Sequence, residues 1–402
     1  MRIAIFSDNF YPELSGISDS VISLAKNLAA RGHVINFYVP RYAPEDYAAA
    51  NVPTREIDLG PNISITRFAS FAYHSTGTGH ARLVIPFGLR ALIVAQFHPD
   101  IIHTQQFFGV GLEGLFAARI LSIPFVGTNH TATKEFLRYS PIRSAWLDGL
   151  LLGYVNWYYE RCAVVTAPSK SVFDEMAASG FNTARAHVMP NPVNTQIFRP
   201  IADTERAVAK KKFGFNDTTI IHAGRLSDER KPAIVLEALA EIKKTIPSAM
   251  LAFAGKGTSE EKLRAQAKAL HIEDAVRFLG FLDQPTLNEA YNASEVFAIA
   301  STSDTQSLVM MQAMASGIPI VGVRARGLPE YINEQNGFLI EPDNAHAMAE
   351  KILPLLNDPA MAQRLGKSAR VYVEQFSEAA IAERWEEIYE GVIKGYNKYH
   401  TA

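Results

Sequence analysis

Short apolar runs alternate with amphipathic stretches along most of the chain, and the alternation stops once and then restarts. IAIFSD, residues 3–8, reads as a buried strand; the loop FYPELSG follows, then the helical pattern Val21, Leu24, Ala25, Leu28, which ends at Gly32. HVINFYVP, SITRF, PDIIH, IPFVGT, AVVTAP and HVMPN continue as strands, with helical stretches between most of them. Parallel neighbours need a crossover and a helix is the usual one, so residues 1–190 read as one doubly wound α/β domain. PNPVNTQIFRP then places three prolines in eleven residues, which disfavours helix and marks a linker. TTIIHAG, MLAFAG, AVRFLG, EVFAIA, IPIVGV and GFLIEP restart the pattern as a second α/β domain over 200–375. An N-cap serine, Ser377, and the spacing of Ile381, Trp385, Ile388 and Val392 predict a long amphipathic helix over 377–400, expected to pack back across the domains. Ligands of open α/β sheets bind beyond the carboxyl ends of the strands, so chemistry is expected in the loops after strands, in a cleft between two facing domains.

Composition narrows the function. With 39 basic and 41 acidic side chains in 402 residues, nothing favours nucleic acid, whose backbone is held by a surplus of Lys and Arg. The single cysteine, Cys162, forms no intrachain disulfide and reads as a small core residue. The N-terminal apolar run is too short for a signal peptide, and no segment approaches the ~18–20 apolar residues of a membrane span, so a cytoplasmic protein is expected.

The familiar catalytic signatures fail. A nicotinamide enzyme carries GxGxxG after a strand, whereas AGKGTSEE supplies only Gly255 and Gly257; Lys256 is followed by glycine, so there is no P-loop. There is no GxSxG, CxxC or HExxH, and His98 and His103 want a third ligand. Anion-binding features remain. HAGRLSDERKP puts Arg225 just past a strand and Lys231 at the start of a helix, where a planar fork and a point charge suit a diphosphate; two solvated loop cations are the plainer alternative. In STSDTQSLVMMQAMASG a helix starting near Thr305 to Ser307 aims free N–H groups at a phosphate. Asp304 precedes that helix and is either a ligand group or an N-cap, and Gln312 follows eight residues later. His130 stands just past a strand, as a cleft residue or as a histidine satisfied by loop backbone.

Taken together, YPELSG, HTQQFFGVG, GTNHT, APSKSV, MPNPVN, GRLSDERK, AGKG, VRFLGF, SDTQSLVMMQAMASGIPIVG, RGLPE and NGFLIEP resemble the retaining glycosyltransferases of the GT-B fold. The likeness is to family 4, with its diacylglycerol glucosyltransferases and phosphatidylinositol mannosyltransferases, and it covers nearly the whole chain. It implies two Rossmann-like domains, the second holding a nucleotide-sugar donor and the first an acceptor. By motif, Gly16 lets the first loop approach the donor phosphates and His130 contacts the transferring sugar. Arg225 and Lys231 match the pair that neutralises the leaving diphosphate. The backbone amides of Ser307 and Leu308 hold phosphate, and Phe281 and Leu282 fall where the base is held. Asp304 and Gln312 match the two acids of the family's E-x7-E motif; Asp keeps the carboxylate one methylene shorter, and Gln keeps hydrogen bonding without charge. The first loop has Ser15-Gly16 in place of the usual double glycine.

The resemblance implies a UDP-hexose donor, UDP-glucose foremost, transferred with retention to a lipid or saccharide acceptor, with neither metal nor cofactor. A GDP-mannose-dependent enzyme and a weakened sugar-nucleotide-binding subunit are the alternatives, with an NAD-dependent oxidoreductase a distant third. Arg67, Arg82 and Arg90, and further along Lys134, Arg138, Arg143, Trp146 and Trp157, put basic and aromatic residues side by side. Such clusters suit an anionic membrane surface, here peripheral at its inner face, although residues 1–195 as a whole carry only 15 basic against 14 acidic side chains.

Overall fold

The computed structural model describes residues 1–400 apart from 14, 51, 74–80 and 131–144. It divides into two compact units, Met1–Pro192 with Glu378–Ala402, and Val193–Ser377.

The first unit is built on a seven-stranded parallel sheet. Its strands are β1 (Arg2–Phe6), β2 (Val34–Pro40), β3 (Ile63–Phe68), β6 (Ile101–Thr104), β7 (Phe125–Thr128), β8 (Val164–Ala167) and β9 (Ala186–Val188), in the order β3-β2-β1-β6-β7-β8-β9. A separate antiparallel pair, β4 (Phe71–Tyr73) and β5 (Ala81–Leu83), joins residues that carry no strand signal in the sequence. Successive residues of a strand point to opposite faces, so β1 feeds two cores. Ala4 and Phe6 pack with Ile102, Val110 and Tyr158 on one side, and Ile3 and Ile5 with Leu24, Leu28 and Ile101 on the other.

The C-terminal helix, Glu378–His400, belongs to this first unit. Ile381, Ala382, Trp385 and Tyr389 are buried in the second of these cores, and Glu386 pairs with Arg31 (2.5 Å) and His33 (2.6 Å) at the end of helix Gly16–Ala30. The near-helical apolar spacing therefore marks the stripe that closes a core.

The second unit carries six parallel strands: β10 (Thr219–Ala223), β11 (Met250–Ala254), β12 (Val276–Gly280), β13 (Val296–Ile299), β14 (Ile320–Val323) and β15 (Gly337–Ile340). Their order is β12-β11-β10-β13-β14-β15. β10, β11 and β13 are buried along their whole length, which is why they read as unbroken apolar runs. In each unit the strand order reverses once, beside β1 and beside β10, and the loops leaving those strands flank a crevice of the kind where open sheets take ligands.

Candidate functional site

In the second unit the loops after β10 and β11 are held close by glycine. A Cβ on Gly255 would lie 1.9 Å from the Gly224 carbonyl oxygen, and one on Gly257 2.1 Å from that of Leu226, so these two glycines exist to let backbone meet backbone. Leu226 N donates to the Lys256 carbonyl at 3.0 Å and Gly224 N to that of Ala254 at 2.9 Å. The incomplete glycine fingerprint of AGKG thereby has a packing explanation.

The loops after β10 and β13 are joined by a buried ion pair. Asp304, 8% exposed, accepts from both terminal nitrogens of Arg230, at 3.2 and 3.3 Å. Arg230 ends the single 3-10 turn Asp228–Arg230, and its Nη1 lies 3.5 Å from where a Cβ on Gly224 would be. Asp304 is not the helix cap: the helix runs Leu308–Ala315 and Ser307 occupies the N-cap position. The Ser307 hydroxyl makes no capping bond; it is buried without a partner, as are Gln312 Oε1, Arg230 Nε and His222 Nε2. His222 stands on β10 with its Nδ1 bonded to the Ala298 carbonyl at 2.9 Å, and burial lowers its pKa to about 4. An unmet buried polar group costs about 1–3 kcal/mol, so four of them on elements that meet at the strand-order reversal mark a place where a polar ligand makes up the deficit.

Lys231 is directed elsewhere. It has a left-handed φ of +50°, begins helix Pro232–Lys243, and its Nζ meets both carboxylate oxygens of Asp343 at 2.7 and 2.6 Å. Arg225 is partly exposed, 3.8 Å from Glu229. Phe281, 62% exposed, presents its ring just after β12, and Leu282 packs against the core. The structure thus brings Asp304 together with Arg230, which sequence spacing did not single out, and sets Lys231 beside Asp343.

In the first unit the polar groups at the corresponding strand ends bond to one another. Asp8, following β1, accepts from the amides of Val110 (2.8 Å) and Gly111 (3.2 Å) at the start of helix Gly109–Leu121; burial nevertheless raises its pKa to about 7. Gln106 Oε1 accepts from the amides of Asp8 and Asn9, both at 3.1 Å. His130 Nε2 donates to Gln105 Oε1 at 2.8 Å, and burial depresses the His130 pKa to about 4, which leaves the ring neutral at physiological pH. The ring nitrogens of His103 are taken by Tyr389 Oη and Thr128 Oγ1, both at 2.7 Å, so this histidine is structural. Gly16 opens helix Gly16–Ala30, whose first turn is capped by the Ser15 hydroxyl accepting from Ser18 N at 3.2 Å.

The expected basic surface needs correction. Arg67 is paired with Glu56 at 2.6 Å, Arg90 with Glu113 at 3.0 Å and Arg82 with Asp46, and all three guanidiniums are mostly buried, so they tie loops together. Lys134, Arg138 and Arg143 lie outside the described residues. What the first unit does expose is apolar: Phe87, Leu89 and Leu92 are 63%, 77% and 71% exposed, with Ile120, Trp146 and Trp157 also open. No described helix is long and apolar enough to cross a membrane.

Known proteins resemble this chain in sequence and fold. Residues 14–197 match the glycosyltransferase family 4 domain, and residues 203–372 match the glycosyl transferases group 1 domain. The chain is 30% identical over 392 residues to an alpha-monoglucosyldiacylglycerol synthase of Streptococcus pneumoniae, covering 91% of this chain and 82% of that one. It is 24% identical to the Acholeplasma laidlawii protein of the same name, over 99% of both chains. Among solved structures, Anabaena HepE in complex with UDP superposes with a TM-score of 0.75 at 20% identity, over 97% of this chain and all of that one (100%).

Proposed function

Since the chain belongs to the family 4, group 1 glycosyltransferases of GT-B fold, we propose that it transfers a hexose from a UDP-sugar, UDP-glucose foremost, to a lipid acceptor with retention of configuration. The observation that carries this reading is the cluster beside β10: a buried carboxylate, a cation, a helix start and four unpartnered polar atoms on adjoining elements. In this reading the second unit holds the donor. The amides at Ser307 and Leu308 take phosphate, Asp304 takes sugar hydroxyls, Gln312 takes the ribose, and Phe281 and Leu282 flank the base. Arg225, with a second cation from the Arg230–Lys231 pair, faces the diphosphate.

The first unit holds the acceptor, with Gly16 assigned to the phosphate-side loop and His130 to the transferring sugar. The acceptor oxygen forms its bond to the anomeric carbon on the face that the diphosphate leaves. The electron pair of the broken C–O bond stays with the diphosphate, and the acceptor's proton passes to that departing oxygen. Fixed cations and amide dipoles stabilise the developing charge, so the mechanism asks for no metal. The lipid acceptor accords with the names of the relatives and with the open side chains of Phe87, Leu89 and Leu92, which suit peripheral contact at the inner membrane face.

Calorimetric titration with UDP, GDP and NADH, followed by measurement of diphosphate release from the matching sugar conjugates, tests the reading. UDP binding with acceptor-stimulated release of UDP from UDP-glucose is the expected result; preferential GDP binding moves the donor to GDP-mannose, and no diphosphate binding overturns it. A second reading, a sugar-nucleotide-binding subunit with little turnover, is favoured by Gln312 standing where the family motif has an acid, and tight UDP binding without release supports it.

A further inference from the structure

We propose that Gln105 is a positioning residue for His130, its side-chain oxygen fixing the tilt of the ring and holding the ring proton on Nε2. The inference deepens the reading of the first unit and rests on His130 meeting the transferring sugar. Gln105 is the first residue after β6 and His130 the second after β7. These strands are parallel neighbours, with Thr104 opposite Gly127, so two residues 25 apart in sequence leave the sheet side by side. The sheet extends by one backbone bond into each loop: Gln105 N donates to the Phe6 carbonyl and Asn129 N to that of Thr166, both at 2.8 Å. Both side chains therefore start from fixed backbone.

The amide of Gln105, a residue only 2% exposed, is held at both ends. Its nitrogen lies 3.2 Å from each ring nitrogen of His103, and its oxygen accepts from His130 Nε2 at 2.8 Å. His103 is itself braced, Nδ1 against Tyr389 Oη and Nε2 against Thr128 Oγ1, both at 2.7 Å. A run of contacts thus leads from the buried face of the terminal helix through His103 and Gln105 to His130, which is only half-buried. An amide oxygen can only accept, so the hydrogen lies on His130 Nε2, and burial keeps the ring neutral by lowering its pKa to about 4. A neutral imidazole with its proton on Nε2 is an acceptor at Nδ1. Settling tautomer and tilt before the sugar arrives removes that choice from the transfer step, which is what a rigid contact behind a substrate-facing group contributes.

The test compares Gln105→Met, which keeps the length of the side chain without its amide, and Gln105→Glu, which keeps an acceptor oxygen, with the wild type and His130→Ala. Imidazole nitrogen spectra of protein carrying isotope-labelled histidine report which ring nitrogen holds the proton, the His130 signal being the one missing from His130→Ala. Kinetics of UDP release from UDP-glucose with dispersed diacylglycerol, UDP affinity by calorimetry and melting temperature are measured alongside. All are taken at pH 8, because a neighbouring carboxylate lifts an imidazole pKa of about 4 to no more than about 7. The Nε2–H form is expected in the wild type and in Gln105→Glu, and a mixture of both tautomers in Gln105→Met. Gln105→Met is expected to lower kcat ~10–100-fold with UDP affinity within ~twofold, and Gln105→Glu to recover part of kcat. If Gln105→Met does not fold, the wild-type spectrum and Gln105→Glu carry the test. An Nδ1–H His130 in the wild type, or a Gln105→Met protein with the spectrum and kcat of the wild type, overturns the proposal while leaving the transferase reading intact. If His130→Ala turns over like the wild type, the assignment of His130 to the sugar falls and the proposal with it. A wild type without turnover overturns the transferase reading, and the spectra then decide the Gln105–His130 contact by themselves.

Discussion

The two units repeat one architecture and treat polarity at their strand ends in opposite ways. Beside β1, Asp8, Gln105, Gln106, His103 and His130 are knitted into bonds with one another, with backbone amides and with Tyr389. Beside β10, His222, Arg230, Ser307 and Gln312 each hold a buried atom with no partner. The first arrangement is satisfied apart from two buried atoms nearby, Tyr38 Oη and Glu113 Oε2, whereas the second leaves four buried atoms unmet on adjoining elements. The proposed division of acceptor and donor between these units accords with the contrast: a charged, hydroxyl-rich donor suits the place where hydrogen bonds are missing, and a lipid acceptor suits the unit that exposes Phe87, Leu89 and Leu92.

The contrast is broken most directly at Asp304. Asp304→Ala is expected to lower turnover by ~100–1000-fold and to weaken donor binding, since it removes the carboxylate proposed to take sugar hydroxyls and leaves Arg230 without its partner. His130→Ala in the first unit is expected to reduce transfer while leaving UDP affinity within ~twofold by calorimetry. If the two variants lose UDP affinity alike, the division of labour falls.

Next in size is packing. Trp385→Ala is expected to cost about 3–5 kcal/mol in urea unfolding, because it empties a filled site in the first unit's core. Unchanged stability would show that the terminal helix is an ornament.

Proton linkage sharpens the comparison on a smaller scale. His222 has a folded pKa of about 4 against about 6.5 unfolded, so its contribution is present above pH 6.5 and lost as pH falls towards 4. The first unit carries His103 and His130, shifted the same way to about 3 and about 4, but also Asp8 and Asp19, raised to about 7 and about 6. Those carboxyls act oppositely: their contribution is present below the unfolded value near 4 and is lost as pH rises through the folded one. Between pH 7 and 5 the first unit's terms offset, and only His222 in the second unit is uncompensated, at up to about 1.4 kcal/mol per pH unit. His222→Gln is therefore expected to flatten the pH dependence of the melting temperature over that range more than Asp19→Asn does.

The smallest effect is expected at Gln312. Gln312→Glu should change UDP affinity only several-fold, since the amide already offers an acceptor oxygen in the cluster; a hundredfold rise in turnover would instead favour a decayed site.

Much of this was legible in the residues. The thirteen apolar runs picked out by alternation are the thirteen strands of the two sheets, most of them buried on both faces, with β3, β9 and β12 largely half-buried or exposed. The β4–β5 hairpin escaped, being short and exposed, with no periodicity to detect. The helix start at Ser307 and Leu308 was legible from Asp, Thr and Ser before an apolar run. Arg230 was not, since its partner Asp304 lies 74 residues away and only the fold brings the two together. Nor was the neutralisation of Arg67, Arg82 and Arg90, whose partners Glu56, Asp46 and Glu113 lie 11 to 36 residues away.

The terminal helix has a consequence for the order in which the protein can mature. The wall of the first unit's core that holds Trp385 and Tyr389 is made after Val193–Ser377, which is contiguous and finished earlier. The second unit is thus an insertion in the first, free to fold during synthesis while its host waits with an open hydrophobic flank. A dissected first unit would have to be expressed as residues 1–192 spliced directly to 378–400.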